Sequence, residues 1–345
     1  MQEAASFESS DGLRLSPSRK SRKRGWALVA VPVLMVLVAV AIVAVYVFSI
    51  GRSFDQGATQ LQDDEVFSGG QPVAEQGDQT NILLLGSDSR AEDVDYAGDA
   101  GGTRSDTIMV MNINGAKDSV QIMSIPRDLW VPIDGHGDGK INAAMSHGGL
   151  PLATQTVSDF IDAPIHHVAI IDFEGFKSLT DSIGGVEVES DYSFDSNGHT
   201  FSEGTNELSG EEALTFVRAR KNFSDGDLQR GRNQQAFLEG LISKIISADT
   251  LSNPTKVAGM VRDFSPYMTV DDRLTSSKIA GMAYDMRSIR SGDVQFFSAP
   301  IAGPSTSSDG QSILMVDESG RDEIQQAFDN DAVREYAESA DDVHL

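Results

Sequence analysis

NILLLGSDSR, residues 81–90, opens with a short apolar run, Asn81 to Leu85, which Gly86 stops and which Ser87, Asp88, Ser89 and Arg90 follow at once. An apolar run bounded by turn residues is the pattern of a strand buried on both faces, as in an α/β sheet. Polar groups directly after such a strand stand at its carboxyl end, where open α/β sheets place their ligands. The acidic, glycine-rich stretch Ala91 to Gly102 reads as a loop that ends at Thr103-Arg104-Ser105-Asp106. A second strand is expected over Thr107–Asn114 and a third over Val120–Ile125, with Gly115 and Lys117 in a hairpin turn. The third strand ends in Pro126-Arg127-Asp128, so successive strand boundaries each present an arginine and an aspartate. One such pair is an ordinary surface ion pair; several at one end of a sheet mark a site.

Further along, the pattern alternates between periods of two and of 3.6. Helices are expected over Leu152–Ile161 and Phe173–Ile183, and strands over His167–Asp172 and Gly185–Glu189. Asp134 to Gly139 starts like a calcium loop, but the twelfth position of that frame is Met145 where a bidentate glutamate is needed, so it reads as a glycine turn. His166 and His167 have no ligand pattern around them and are read as structural. Ser209-Gly-Glu-Glu212 is a capping box opening a helix that turns Ala213, Leu214, Phe216 and Val217 inward. A longer helix is expected over Leu228–Ser247, and helices over Asn253–Val261, Ser276–Ile289 and Ser319–Phe328 surround a strand at Val294–Ser298. The fold class expected is therefore α/β: an α/β/α sandwich on a central mixed sheet.

Between the capping-box helix and the longer one lies FVRARKNFSDGDLQRGRNQQ, residues 216–235, in which Arg218, Arg220, Lys221, Arg230 and Arg232 crowd together in a chain of net charge −25. Arginine is always charged, and its planar fork matches phosphate oxygens. Arg230 and Gln234 share one face at the start of the longer helix, where free amides and the helix dipole also favour a phosphate. The overall negative charge excludes an extended nucleic-acid surface. Cysteine is absent, which excludes a thiolate nucleophile and a cysteine zinc site.

The amino-terminal end has its own organisation. Residues 1–25 are polar and then basic, closing on Arg19, Lys20, Arg22, Lys23 and Arg24, and read as a disordered cytoplasmic tail. Trp26–Ile50 is uncharged and apolar, and at about 1.5 Å per residue it exceeds the roughly 30 Å of a bilayer core. A single membrane span is expected there, with the basic tail inside and the remainder of the chain extracellular. Residues 51–80 lack apolar periodicity and read as a stalk, residues 81–328 as the folded outer domain and residues 329–345 as an acidic tail.

The ordered motifs GSDSR from Gly86, TRSDTIM from Thr103, SIPRD from Ser124, GKINAAMSHGG from Gly139, DFEGF from Asp172, IGGVEV from Ile183 and LTFVRARKNFSDGDLQRGRNQQ from Leu214 closely resemble the LytR-CpsA-Psr (LCP) family. The likeness covers Asn81 to Phe328, and the single amino-terminal span agrees with it. The stretch between Asp88 and Arg104 is long for the family. The resemblance implies an extracytoplasmic phosphotransferase that moves an anionic glycopolymer from a polyprenyl-pyrophosphate carrier to peptidoglycan in cell wall biogenesis. Whether the polymer is teichoic acid, capsule or arabinogalactan is left open. Carried over by motif, Arg104, Arg127, Arg218, Arg220 and Arg230 would grip the pyrophosphate with support from Gln234. Asp227 would orient arginines or assist the acceptor proton, and Asp88 and Asp106 would hold Mg²⁺. Phe237, Leu241 and Ile245, one or more turns past the arginines, are candidates for a lipid tunnel or for plain core. Phosphoryl transfer is mainly positioning and charge neutralisation, and needs no protein nucleophile. Two readings compete: a protein that binds polyprenyl phosphates without turning them over, and a lipid pyrophosphatase. A transcription regulator is disfavoured because the residues before the span are too few to fold into a nucleic-acid domain.

Overall fold

A computed structural model describes residues 49–68, 79–87, 105–219, 226–245, 247 and 253–341. The expected membrane span falls outside these residues except for its last two, and among the described residues no helix is long and apolar enough to cross a membrane.

The chain forms β1 (Thr59–Leu61), β2 (Thr80–Ser87), β3 (Ser105–Ile113), β4 (Val120–Ile125), β5 (Leu129–Ile133) and β6 (Gly137–Lys140), then α1 (Ala143–Ile161), β7 (His167–Asp172) and α2 (Phe173–Ser182). There follow β8 (Val186–Ser190), a small hairpin of β9 (Phe194–Ser196) and β10 (His199–Phe201), β11 (Gly204–Leu208), α3 (Gly210–Arg218) and α4 (Gly226–Ile245). The rest is α5 (Pro254–Phe264), β12 (Met268–Asp271), α6 (Ser276–Asp285), β13 (Val294–Ser298), β14 (Ile301–Thr306), β15 (Ser312–Val316), α7 (Glu318–Asp329) and α8 (Val333–Asp341).

The central sheet has seven strands in the order β1-β12-β7-β2-β3-β4-β13. It is mixed, as expected: β2 runs parallel to β7 and antiparallel to β3, and β3 and β4 form the hairpin. Strand alternation sends Leu83 and Leu85 of β2 into one core, with α1, α7 and α8, and Ile82 and Leu84 into the opposite cores, under α4 and α6. Helices therefore cover both faces. A second, four-stranded sheet, β14-β15-β5-β6, joins the first of these cores through Leu129, Val131 and Ile133.

Several expectations change. The glycine turn at residues 134–137 is real, with Gly135 and Gly137 at φ 72° and 71°, but it joins β5 to β6, two strands that the sequence pattern did not reveal. Gly and Asp are poor strand formers, so β6 carries no propensity signal. The helix expected from Leu152 begins at Ala143 and is kinked where Gly149 takes φ 65°, just before Pro151. Residues 51–68 are not a stalk. Residues 49–57 are helical, β1 extends the sheet beside β12, and Phe54, Leu61, Val66 and Phe67 are buried. Helix, strand and turn each contribute one or two of these apolar residues, so no single period shows. The acidic tail is also structured in part: α8 buries Val333 and Ala337, and its Tyr336 ring lies edge-on to Phe297 at 5.7 Å.

Candidate functional site

On the α4 side of the sheet, Leu84 and Gly86 of β2, Thr107 and Met109 of β3, and Ala169 and Ile171 of β7 form the floor of a pocket of about 410 Å³. Its roof comes from α2, α3 and α4, through Phe176, Val217, Phe237, Leu238 and Leu241. Along the strands the lining changes character. Toward the amino-terminal half of β2 it is wholly apolar; at the carboxyl ends of β2 and β7 it meets Asp172, Arg127, Arg218, Arg230 and Gln234. Burial on both faces made these strands hydrophobic, and the first polar positions past their ends supply the charges.

A second cleft of about 670 Å³ lies on the other side of the same residues. It shares Thr107, Arg127, Arg230 and Gln234 with the apolar pocket and adds Ser124, Asp128, Glu189, Asp191, Arg232 and Ser298. The cleft is also lined by Ile125, Phe297, Ile301 and Leu314, so the arginines form the partition between an apolar pocket and a cleft of mixed, more polar lining. A ligand with an apolar tail, a charged joint and a hydrophilic head fits that division.

Each cation is held differently. Arg127 leaves β4 after Pro126, and its Nε is 3.5 Å from the Asp128 carboxylate, which also accepts a 2.7 Å hydrogen bond from Lys140 Nζ. Burial disfavours the charged form of Asp128, but the Lys140 hydrogen bond and charge, joined by Arg127, outweigh it and hold the carboxyl below its ordinary range. Arg218 ends α3, whose start carries the expected capping box, and its guanidinium lies 4.4 Å from the centre of the Phe173 ring. Arg230 and Gln234 are one turn apart on α4, and Gln234 Nε2 donates to Thr107 Oγ1 at 3.3 Å. Between them the buried amides Gln229 and Asn233 bind each other at 3.0 Å, and Asn233 donates to the Phe216 carbonyl at 3.2 Å. That ladder locks α4 against the end of α3, which fixes Arg218 relative to Arg230. Arg232 donates to Gln229 Oε1 at 2.8 and 2.6 Å and lies 3.8 Å from Asp191, so it lines the cleft but not the pocket.

Of the residues singled out from the sequence, Asp88, Arg104 and Arg220 lie outside the described residues, as do the side chains of Asp106 and Asp227. Backbone positions still say something about two of them. Gly86 pairs with Thr107 and Ser87 with Ser105, which makes Asp106 the extra residue of a β-bulge at the mouth of the pocket. Bulges of this kind re-aim a side chain next to active sites. Asp227 is in the first turn of α4. Among the described residues no cluster of three or more potential metal ligands occurs. Phe237 and Leu241 line the pocket, whereas Ile245 packs against the core beneath α3 and β8 and is absent from the lining. His166 and His167 are structural: His167 Nδ1 lies 3.1 Å from the buried Asp271 carboxylate, and His166 Nδ1 accepts from the Asn81 amide. The residues not anticipated are Gly86, Thr107, Asp172, Phe173 and Phe176. A Cβ on Gly86 would meet the Thr107 Cβ at 3.0 Å, so any side chain there would press on the residue that braces Gln234. Asp172 caps α2 by accepting from the Gly175 amide at 2.7 Å, and an Asp ending an apolar strand before a helix was the legible sign.

Comparison with known proteins agrees with this geometry. The model of the LytR_cpsA_psr family matches residues 44–330. Similar proteins include polyisoprenyl-teichoic acid–peptidoglycan teichoic acid transferases TagU from Bacillus mycoides, 35% identical over 59% of this chain and 66% of that protein, and from Halalkalibacterium halodurans, 36% identical over 63% and 72%. A TagU from Bacillus anthracis is 39% identical over 50% of this chain and 54% of its own length, so the match spans between about half and two thirds of those first relatives. Among solved structures, B. subtilis TagV has TM-score 0.62 at 25% identity, covering 75% of this chain and 98% of that one. A protein from Streptococcus agalactiae has TM-score 0.64 at 22% identity, covering 76% and 92%, and shares the fold.

Proposed function

The chain belongs to the LytR-CpsA-Psr family, and from that membership we propose that it is a membrane-anchored, extracytoplasmic phosphotransferase that moves a glycopolymer from a polyprenyl-pyrophosphate carrier to peptidoglycan. The observation that carries the reading is the row of arginines that separates the apolar pocket from the more polar cleft. An isoprenoid chain occupies the pocket, the pyrophosphate meets Arg127, Arg218 and Arg230, the family motifs add Arg104 and Arg220 to the same role, and the glycan and acceptor occupy the cleft. The names of the TagU relatives describe a transfer of this kind, with teichoic acid as the polymer.

In the reaction an acceptor hydroxyl oxygen forms a bond to the glycan-linked phosphorus, and the bond from that phosphorus to the bridging oxygen breaks. The hydroxyl proton leaves toward a carboxylate, the role assigned to Asp227, and polyprenyl monophosphate departs. Guanidinium groups stabilise the charge that gathers on the phosphoryl and bridging oxygens. Gln234, braced on Thr107, positions the diphosphate. Asp106, at the bulge of β3, and Asp88, two sequence positions after Gly86, would be the residues to hold Mg²⁺, through the hard oxygen donors that this ion takes. Bound there, Mg²⁺ would neutralise phosphate charge. The apolar run Trp26–Ile50 anchors the enzyme, with the basic tail inside.

The test is transfer from a synthetic polyprenyl-pyrophosphate glycan to peptidoglycan, measured across a magnesium titration for wild type and Asp106→Asn, with lipid affinity measured in chelator. The expected variant binds lipid normally and needs much more Mg²⁺. An unchanged magnesium requirement removes Asp106 from the metal site. Lipid binding by the wild type without transfer under any metal or acceptor makes the protein a carrier-binding module instead.

A further inference from the structure

Two of the arginines that line the apolar pocket are held in opposite ways. Arg127 has its Nε 3.5 Å from the Asp128 carboxylate, which Lys140 shares at 2.7 Å. Among the described residues Arg218 has neither a carboxylate nor a hydrogen-bond acceptor for a partner. It has the face of the Phe173 ring, whose centre lies 4.4 Å from the guanidinium carbon, and both residues line the pocket. An aromatic face attracts a cation through its quadrupole and takes none of its N–H donors. A carboxylate in the same place would occupy part of the fork and repel a diphosphate.

The contact is built by the packing of α2 against α3. The two helices run antiparallel and are pinned together at one end. There the Gly210 amide, at the start of α3, donates to Asp181 Oδ1 near the end of α2 at 2.8 Å, and Lys177 Nζ lies 3.4 Å from the Glu211 carboxylate. Gly210 comes so close to α2 that a Cβ on it would collide with the Lys177 carbonyl oxygen. At the other end Phe173 is the first residue of α2, and the Asp172 cap fixes that turn by accepting from the Gly175 amide at 2.7 Å. Arg218 is the last residue of α3, whose Phe216 carbonyl accepts from Asn233 of α4. Ring and guanidinium are thus each carried on an anchored helix end.

We propose that Phe173 is a positioning residue for the diphosphate: its ring seats the Arg218 guanidinium at the charged end of the apolar pocket, with its full charge and all its N–H donors left for phosphate oxygens. This rests on the placement of the pyrophosphate at the arginines proposed above. Ordering a long side chain opposes binding, and a guanidinium already seated on the ring escapes most of that cost. Because the ring is itself apolar, it orders the arginine without setting another polar group beside the isoprenoid.

The test uses the full-length protein in detergent and two lipids with one tail, geranylgeranyl pyrophosphate and geranylgeraniol. Affinity for each is measured in wild type, Arg218→Ala, Phe173→Leu and the double variant. Phe173→Leu should weaken the pyrophosphate roughly three- to thirty-fold and the alcohol less than about twofold. In the Arg218→Ala background Phe173→Leu should weaken the pyrophosphate no further, the non-additivity of two side chains that act as one unit. Phe173→Tyr, which keeps the ring, should recover the loss. Phe173→Met, ringless like Leu, is measured beside it, and melting temperatures identify a folding defect confined to one substitution. Ringless variants that bind the pyrophosphate like wild type, or lose the alcohol equally, overturn the positioning role. So does a Tyr variant as weak as the Leu variant, or a loss that adds in full to that of Arg218→Ala, either of which makes the ring plain lining. If Arg218→Ala weakens the pyrophosphate while the Phe173 variants do not, the proposed function stands and this inference alone fails. Arg218→Ala with wild-type affinity removes the diphosphate from Arg218, and a wild type that binds neither lipid removes the carrier from the pocket; in both cases the proposed placement fails, and this inference with it.

Discussion

Arg218 is solvent-exposed at the end of α3 and stacks on Phe173, so removing its side chain subtracts a charge without opening the core. A hydrogen bond between charged groups, such as guanidinium to phosphate, is worth about 1.5–3 kcal/mol. Arg218→Ala should therefore slow transfer by tens to hundreds of fold. Its melting temperature should stay near wild type, and Lys should rescue poorly because it lacks the fork. A wild-type rate in the alanine variant would remove Arg218 from the site. Asp128 makes the opposite kind of contribution. Its carboxyl is held below the ordinary value of 3.8, so its stabilisation is present above that pH and disappears as pH falls through the lower, folded-state value. Denaturant unfolding of Asp128→Asn should show a loss of roughly 1–2 kcal/mol at neutral pH. That gap should close in acid below pH 3.8. A gap that persists unchanged in acid would mean that Asn disturbs packing and not the ion pair with Lys140.

At the scale of elements, α4 carries the most because it places Arg230 and Gln234 while roofing the pocket with Phe237, Leu238 and Leu241. Its position is fixed at two points. Gln229 and Asn233 tie its first turns to α3, and Gly240 lets it approach β8 so closely that a Cβ there would collide with the Glu187 carbonyl. Asn233→Ala leaves Gln229 without its buried partner and the Phe216 carbonyl without its donor, which costs about 1–3 kcal/mol. Since the ladder also fixes the spacing of Arg218 and Arg230, transfer should fall by more than the loss of stability explains, with the deficit in turnover at saturating carrier. If only the melting temperature moves, the ladder is structural alone. The capping box at Ser209–Glu212 and the apolar period of α4 were both legible locally. The ladder was not, since Gln229 and Asn233 look like any polar residues of a helix until α3 is laid beside them.

The whole molecule is larger than the span of its recognisable motifs. Residues 49–68 and α8 both belong to the fold, the first by extending the sheet with β1 and the second by burying Val333 and Ala337 beside β4 and β13. A chain ending after Asn330 should lose about 3–5 kcal/mol of apolar burial and melt roughly 5–15 °C lower. An unchanged melting temperature would show α8 to be dispensable.

The sequence alone determined what is written in short range. An apolar run stopped by glycine located β2, turn residues between two strand patterns located the hairpin of β3 and β4, the change of period located β7 and α2, a capping box located α3, and the clustered arginines marked the site. Those features follow from backbone geometry and side-chain chemistry within a few residues. The tertiary structure alone decided which residues meet. It put Phe173 under Arg218, made Thr107 the brace for Gln234, set Phe237 and Leu241 into the pocket while leaving Ile245 in the core, and recruited residues 49–68 and α8. Each of these depends on the side chains of an element packed from elsewhere in the chain, and burial against a distant partner leaves no period in the local sequence.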